Sequence, residues 1–354
     1  MPNKSVVVAL SGGVDSAVTA HLLKKQGFQV SGAYMEVWDT NNPPTINSKK
    51  TCYSNKQKEL EDARSIAKIL EIPFISIPVH VEYRDKVLGY FSREYSAGRT
   101  PNPCVECNKH VKFGFFMTEA SKALDYFSTG HYVRSVFNEH SGEYELFKAK
   151  DTKKDQTYFL YSLTQKQLQK CLFPLGDFLK TEIKEIAKKE GLMVHNKPES
   201  QNFVNGEYSH LINETQIEGD FVDEYGKAIG RHKGIAFYTI GQRKGLYVSA
   251  KEALFVLDIN KMSNTITLGR EHKLFSKEAT VENINWISKE KPPFPLEVKA
   301  KIRYGSPEEP CIVTAKENDS LLVTFKVPQK SITLGQSLVF YKNDQLLGGG
   351  VITR

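Results

Sequence analysis

Two short stretches of this chain concentrate residues whose types and spacing can do chemistry. The first is Ala9-Leu-Ser-Gly-Gly-Val-Asp-Ser16. It follows a β-branched run and opens a stretch with apolar residues at helical spacing. A glycine-rich turn between strand and helix lets backbone N–H groups close on an anion, and the helix start adds positive potential. Ser11 and Ser16 can donate hydroxyl hydrogen bonds to phosphate, whereas Asp15 reads better as a Mg²⁺ ligand or a helix cap. No lysine follows the glycines, so this is not a Walker-type loop. The second stretch is Arg99-Thr-Pro-Asn-Pro-Cys-Val-Glu-Cys-Asn-Lys-His-Val-Lys-Phe113. Pro101 and Pro103 stiffen it. Cys104 and Cys107 fall near a helix start, where the dipole, Lys109, His110 and Lys112 favour thiolate. Such a thiolate attacks carbon or carries a persulfide. A zinc site would need further ligands, and the sequence holds no second Cys-x-x-Cys or His cluster.

The elements that must position these residues read as an α/β domain. Residues 5–10, 29–34, 73–77 and 126–130 have strand character, and 17–26, 56–70, 88–95 and 111–124 have helical periodicity between them. Such alternation implies a parallel sheet. Helices follow at 165–170 and 180–191. Residues 206–245 are rich in glycine and charge with little clear period. After about residue 273 the pattern changes to short alternating runs at 281–287, 296–302, 311–315, 321–325 and 336–341, which predicts a small antiparallel sheet or barrel. Gly348-Gly-Gly350 ahead of a last strand at 351–353 suggests a bulge or a close backbone approach.

Composition narrows the function classes. The chain has 354 residues, 40% hydrophobic and 25% charged, with 48 Lys and Arg against 41 Asp and Glu, a net charge of +7. Disordered and collagen-like classes are excluded. The mild basic excess suits a polyanionic partner without demanding one. No apolar run reaches the roughly 20 residues of a membrane span, and the first residues do not form a secretory signal, so a cytoplasmic protein with no membrane partner is expected. Cys52, Cys104, Cys107, Cys171 and Cys311 are odd in number and mostly scattered. In a reducing compartment the close pair points to redox, metal or sulfur chemistry rather than a structural disulfide.

With both stretches read, the chain resembles the bacterial and mitochondrial tRNA-specific 2-thiouridylases of the PP-loop ATP pyrophosphatase superfamily. The resemblance rests on Ser11-Gly-Gly-Val-Asp-Ser16, Tyr34-Met-Glu-Val-Trp-Asp39, Gly98-Arg-Thr-Pro-Asn-Pro103, Cys107-Asn-Lys and Thr129-Gly-His-Tyr132. It continues through Lys154-Asp-Gln-Thr-Tyr-Phe-Leu160, Phe173-Pro-Leu-Gly176, Phe237-Tyr-Thr-Ile-Gly-Gln-Arg-Lys-Gly245, Arg303-Tyr304 and Leu347-Gly-Gly-Gly350. A PP-loop alone would leave argininosuccinate, GMP or lysidine synthetase open; so many landmarks in one order do not.

The resemblance implies a PP-loop (adenine nucleotide alpha hydrolase-like) ATP-binding catalytic domain over 1–205, a small central tRNA-binding domain over 206–272 and a C-terminal antiparallel β-barrel over 273–354. It implies ATP and Mg²⁺ as cofactors, tRNA as substrate and an upstream persulfide or sulfur-relay protein as donor. The activity it implies is adenylation of the wobble-uridine 2-oxygen followed by sulfur transfer. Ala9, Leu10, Ser11, Gly12, Gly13, Val14, Asp15, Ser16, Met35 and Gly130 match ATP-site positions. Cys107 matches the nucleophile, and Asn102, Pro103 and Cys104 match the segment meeting the target base. His131, Lys154, Asp155, Gln156, Arg303, Tyr304 and Gln336 match tRNA-contacting positions.

The pattern breaks in two places. The family commonly has Asp where Cys104 stands, and a second catalytic cysteine where this chain reads Glu199-Ser-Gln-Asn-Phe-Val204, with Asn202 nearest the cysteine's place. Asn cannot form a persulfide. Three outcomes stay open: Cys104 partners Cys107 and closes a disulfide after sulfur release; the pair holds an iron–sulfur cluster with another ligand such as Cys52; or the chain is an inactive paralogue. A PP-loop enzyme with a small substrate and a non-catalytic tRNA-binding protein are the rival functions.

Overall fold

The β-branched residues Ser5–Ala9 form β1, whose middle three residues are wholly buried. Burial on both faces is what a central parallel strand requires. In this computed structural model, which describes residues 4–39, 57–192, 203, 208, 211–212 and 215–354, β1 pairs in parallel with β2 (Gln29–Glu36) on one side. On the other side lies β4 (Tyr126–Ser128). With β3 (Phe74–Pro78) and the short β7 (Cys171–Leu172) outside them, the order is β3-β2-β1-β4-β7, parallel throughout. Helix α1 (Val14–Lys25) begins three residues earlier than its apolar spacing suggests, at the glycine turn. Helix α2 (Gln57–Ile69) agrees with its periodicity.

Two helical stretches are longer than the sequence indicates, because both contain wide π-type turns that break the 3.6-residue period. His80–Tyr83, Arg84–Leu88 and Gly89–Ser96 run on end to end. Pro103–Glu106, Cys107–Phe116 and Met117–Ala120 do the same. Pro103 occupies the first helical turn, where its missing N–H costs nothing. Both cysteines therefore lie inside the helix rather than in the loop before it.

Residues 133–148, to which the sequence analysis assigns no element, form a hairpin of β5 (Val133–Asn138) and β6 (Glu143–Lys148). The stretch without clear period supplies part of a four-stranded sheet: β8 (Gly219–Val222), β9 (Ala228–His232), β10 (Phe255–Asn260) and β11 (Thr265–Gly269), ordered β10-β11-β8-β9.

The last six strands are β12 (Phe275–Trp286), β13 (Leu296–Lys301), β14 (Glu309–Ala315), β15 (Leu321–Lys330), β16 (Ser337–Lys342) and β17 (Gln345–Ile352). They run β12-β15-β14-β13-β16-β17 and close where β12 meets β17, a barrel as expected. Its interior is Val281, Val298, Val313, Val323, Phe325, Leu338 and Phe340. The Gly348–Gly350 run lies within β17, not ahead of it, at the closing seam. Both anticipated features occur there: register shifts on β12 and β16, and close approach of neighbouring backbones. The hairpin adds to β17 through Leu146 opposite Leu346, so the barrel sheet reaches into the first domain.

Candidate active site

At the end of β1 the chain turns through Ser11, Gly12 and Gly13, with Gly12 at φ +71°. Gly13 is the N-cap of α1 and offers no side-chain cap. The first-turn N–H groups of α1 are thus left to meet an anion. Ser16, expected to donate to phosphate, is buried and shapes the turn instead: its Oγ donates to the Gly13 carbonyl at 3.1 Å and accepts from the Ser11 N–H at 3.1 Å. Ser11 is exposed, with its Oγ 3.2 Å from that of Ser16. Ala9, Leu10 and Val14 are backbone neighbours of the turn, and Leu10 N–H donates to the Ala33 carbonyl. Met35 lies half-buried near the end of β2. Gly130 follows β4, where a Cβ would stand 3.0 Å from Asp15 Cβ and from Ser16 N. A side chain there would wedge the β4 loop away from the turn.

Asp15 is not poised as an open metal ligand. Both carboxylate oxygens lie 2.7 Å from Lys180 Nζ, and Oδ1 also accepts from the Tyr132 hydroxyl at 2.7 Å. Among the described residues no group of three or more His, Cys, Asp or Glu could hold a metal ion. Cys52, the further ligand considered for a cluster, and Asn202 lie outside the described residues.

The lead-in to the cysteine helix is hydrogen-bonded to both the barrel domain and the central module. Thr100 N–H donates to the Leu334 carbonyl at 2.8 Å, and Thr100 Oγ1 to Thr239 Oγ1 at 3.3 Å. Gln336 Nε2 donates to the carbonyls of Thr100 (3.1 Å) and Pro101 (2.9 Å). Asn102, buried, donates through Nδ2 to Ser337 Oγ at 3.3 Å and through its backbone N–H to the Tyr90 hydroxyl at 3.4 Å. Tyr158 donates to the Ser337 carbonyl, and Tyr161 shares a contact with Ser337 Oγ. Burial raises all three phenols, Tyr161 up to about 12 and Tyr90 and Tyr158 further. They stay protonated and serve as hydrogen-bonding groups, not bases.

Four cysteines are described, and none of them is in a disulfide. Cys171 and Cys311 are buried; burial pushes the Cys311 thiol up to about 12 and Cys171 further, which makes both inert. Cys104 and Cys107 are each partly exposed. His110 lies 3.3 Å from Glu106, a contact that would raise an imidazole's proton affinity, yet its pKa is lowered, first by burial and then by Lys109 and Lys86. Burial likewise raises Glu106. The positive field on this helix thus comes from Lys109 and Lys112 rather than from His110.

The helix connects to the phosphate turn through one layer of side chains. Phe113 packs 5.6 Å from the His131 ring, and His131 follows Gly130, which presses on Asp15. His131 itself is buried, holds Thr129 Oγ1 at 2.7 Å, and is kept neutral by burial. Asp155 faces inward, accepting from Ala149 N–H and Thr157 Oγ1, and burial raises its carboxyl. Gln156 Oε1 accepts from Tyr132 N–H at 2.9 Å. Of the residues matched to tRNA contacts, Arg303 and Tyr304 are exposed and Lys154 is half-exposed. Tyr304 sits 4.5 Å from Phe159, and its hydroxyl donates to the Asp155 carbonyl. Sequence reading missed Lys180, Tyr132 and Ser337 as parts of the site. Lys180 opens an amphipathic helix far along the chain and looks there like surface charge.

Three family profiles match. Residues 4–205 match the tRNA methyl transferase HUP domain, 208–270 the tRNA methyl transferase PRC-barrel domain and 276–352 the aminomethyltransferase beta-barrel domain. The chain is 43% identical over 360 residues to the tRNA-specific 2-thiouridylase MnmA of Clostridioides difficile (strain 630), covering 99% of both. It is 45% identical over 361 residues to the tRNA-specific 2-thiouridylase MnmA 2 of Thermoanaerobacter sp. (strain X514), covering 99% of this chain and 98% of that one. A 4-thiouridine synthetase solved with RNA and ATP is similar over 55% of this chain and 43% of its own, at 18% identity and a TM-score of 0.35, too slight to carry an argument.

Proposed function

The chain belongs to the tRNA-specific 2-thiouridylase family, and from that membership we propose that it is a tRNA-uridine 2-sulfurtransferase that spends ATP to place sulfur on C2 of the wobble uridine. The observation that supports this reading is the contact of Phe113, on the cysteine helix, with His131, the residue after the Gly130 that abuts the glycine turn. A glycine turn with uncapped helical N–H groups lies one side-chain layer from a helix bearing two partly exposed thiols. The word methyl in the domain names does not fit that pairing. A phosphate turn and paired thiols suit adenylation and sulfur transfer.

The chemistry divides between the two features. The uridine O2 attacks the α-phosphorus of ATP, forming an O-adenylate and releasing pyrophosphate onto the backbone donors of residues 11–16. Mg²⁺ bound to the ATP phosphates would offset their charge as pyrophosphate leaves. The Cys107 persulfide then attacks C2 through its terminal sulfur and expels AMP, leaving a Cys107–S–S–C2 link. Cys104 attacks Cys107 Sγ, which frees 2-thiouridine and closes a Cys104–Cys107 disulfide. A dithiol reductant restores both thiols, and a sulfur-donor protein reloads Cys107. Here Cys104 replaces the family's second cysteine, whose place falls by Asn202. One turn of helix separates positions 104 and 107, so both thiols lie on neighbouring sites of one face. The base must leave its stack to reach the helix, and the exposed Arg303 and Tyr304 with the half-exposed Lys154 would meet the RNA backbone.

The test is mass analysis of tRNA incubated with ATP, Mg²⁺ and a persulfide source. Nucleosides carrying sulfur in place of oxygen, absent with Cys107→Ser, support the reading. ATP turnover without modified tRNA refutes it in favour of a small-substrate enzyme.

A further inference from the structure

We propose that Asn108 is a positioning residue for Cys107: its buried amide ties the helix bearing that thiol to the loop at residues 154–160, and through this loop to the exposed ring of Tyr304, so that the thiol and an RNA seated on Tyr304 share one frame. The inference rests on the reading of Cys107 as the sulfur carrier, and adds a residue that acts through its neighbour rather than on the substrate.

Asn108 is 3% exposed and lies in the wide-turned stretch Cys107–Phe116. An amide buried so deeply costs free energy unless it is hydrogen-bonded. Its Nδ2 donates to the Phe159 carbonyl at 3.0 Å. A carbonyl can only accept, so the amide must present its nitrogen there. Wide turns depart from the regular helical register. A directional bond one residue beyond Cys107 fixes how that stretch is rotated, and with it where the partly exposed thiol points.

The far side of that bond leads to the barrel. Phe159 ends the short helical turn Thr157–Phe159. Its ring lies 4.5 Å from that of Tyr304, which stands in the turn between β13 and β14 and is 42% exposed. An exposed aromatic ring is a surface on which an unstacked base can lie. The Tyr304 hydroxyl also donates to the Asp155 carbonyl at 3.3 Å, so Tyr304 holds the loop at two points. The loop is fixed to the first domain as well: Gln156 N–H donates to the Tyr132 carbonyl at 3.0 Å, and Gln156 Oε1 accepts from Tyr132 N–H at 2.9 Å. It is thus a bridge with the exposed ring on one side and the neighbour of the nucleophile on the other. A merely structural amide would stabilise the fold and leave turnover by the folded enzyme alone.

Steady-state 2-thiouridine formation with saturating ATP, Mg²⁺ and persulfide and varied tRNA separates these roles, with thermal melts of each protein alongside. Asn108→Leu removes the donor at similar volume and should lower kcat at least tenfold while KM for tRNA stays within twofold. Asn108→Ala, which only removes atoms, takes its place if Asn108→Leu does not fold. At saturating tRNA the loss should shrink below threefold in a Tyr304→Leu background, because breaking either side of the bridge already breaks the shared frame. A kcat within twofold of parent overturns the proposal, whatever happens to the melting temperature. So does a loss confined to KM, and so do losses that multiply in the double variant. If the parent chain forms no 2-thiouridine, the sulfurtransferase reading fails and this inference with it. If the parent is active and the Asn108 variants match it, only the role of Asn108 fails.

Discussion

Gln336 reaches from the barrel into the lead-in of the cysteine helix, and its removal should loosen that helix without touching either thiol. Its Nε2 donates to two backbone carbonyls, of Thr100 and Pro101. Because both partners can only accept, the amide must present its nitrogen to them. Each such bond contributes about 0.5–1.5 kcal/mol net. Gln336→Ala therefore shifts docking of residues 100–102 by about 1–3 kcal/mol, or about 5–150-fold in the ratio of docked to undocked states. Gln336→Glu keeps the shape but turns a carboxylate oxygen toward two carbonyls, so it should be the worse of the two. The assay pairs the rate of sulfur transfer with the rate of Cys104 and Cys107 alkylation. Both variants should slow transfer and speed alkylation, with Gln336→Glu showing the larger effect and the melting temperature moving by only a few degrees. Transfer and alkylation rates within twofold of parent in both variants would refute the idea that the barrel positions the cysteine helix.

Gly349→Ala should destabilise the whole chain, since its Cβ would lie 2.7 Å from the Leu338 carbonyl oxygen and 2.9 Å from the Tyr161 ring. A loss of about 1–3 kcal/mol in thermal or denaturant unfolding is expected, and an unchanged midpoint would contradict the tight seam. Stability should also fall on mild acidification. His131, His110 and His232 are all held below the ordinary value of 6.5, chiefly by burial, so they are neutral in the fold and take up protons on unfolding below that pH. Their contribution is whole above about 6.5 and drains as pH falls, by at most about 1.4 kcal/mol per pH unit for each. Asp155 and Glu106, held above their ordinary values by burial, act with the opposite sign and offset part of the loss at the acid end. Melting temperatures from about pH 7.5 to 5.5 should decline, and less steeply in His131→Gln; a flat profile would contradict the burial of these imidazoles.

The parallel sheet, the phosphate turn and the cysteine helix were legible because each is local: a buried strand, a glycine turn and paired thiols announce themselves within a dozen residues. The hairpin at 133–148 was not. Its strands carry Arg134, Asn138, Glu143 and Glu145 among the apolar residues, and the consecutive Val136 and Phe137 are both exposed, so no clean alternation marks it. Barrel closure was legible only through the resemblance, since Val281 pairs with Ile352, 71 positions further along the chain, and nothing local encodes that choice. The same distance concealed the partners of the site. Asp15 reads as a metal ligand until Lys180 is folded against it. Gln336, Asp155 and Gln156, matched to RNA contacts by resemblance, spend their side chains on internal carbonyls and N–H groups. Cys104 could be singled out from sequence, but its relation to Cys107 within one helix required the earlier helix start at Pro103.

The most direct measurement is to load Cys104→Ser with persulfide, add ATP, Mg²⁺ and tRNA, and look for a covalent protein–RNA adduct. If Cys107 delivers the sulfur and Cys104 releases it, the adduct accumulates through a disulfide at residue 107, needs ATP, and yields 2-thiouridine when a dithiol is added. Full-rate 2-thiouridine formation by Cys107→Ser, or no ATP-dependent adduct in Cys104→Ser, would contradict the account.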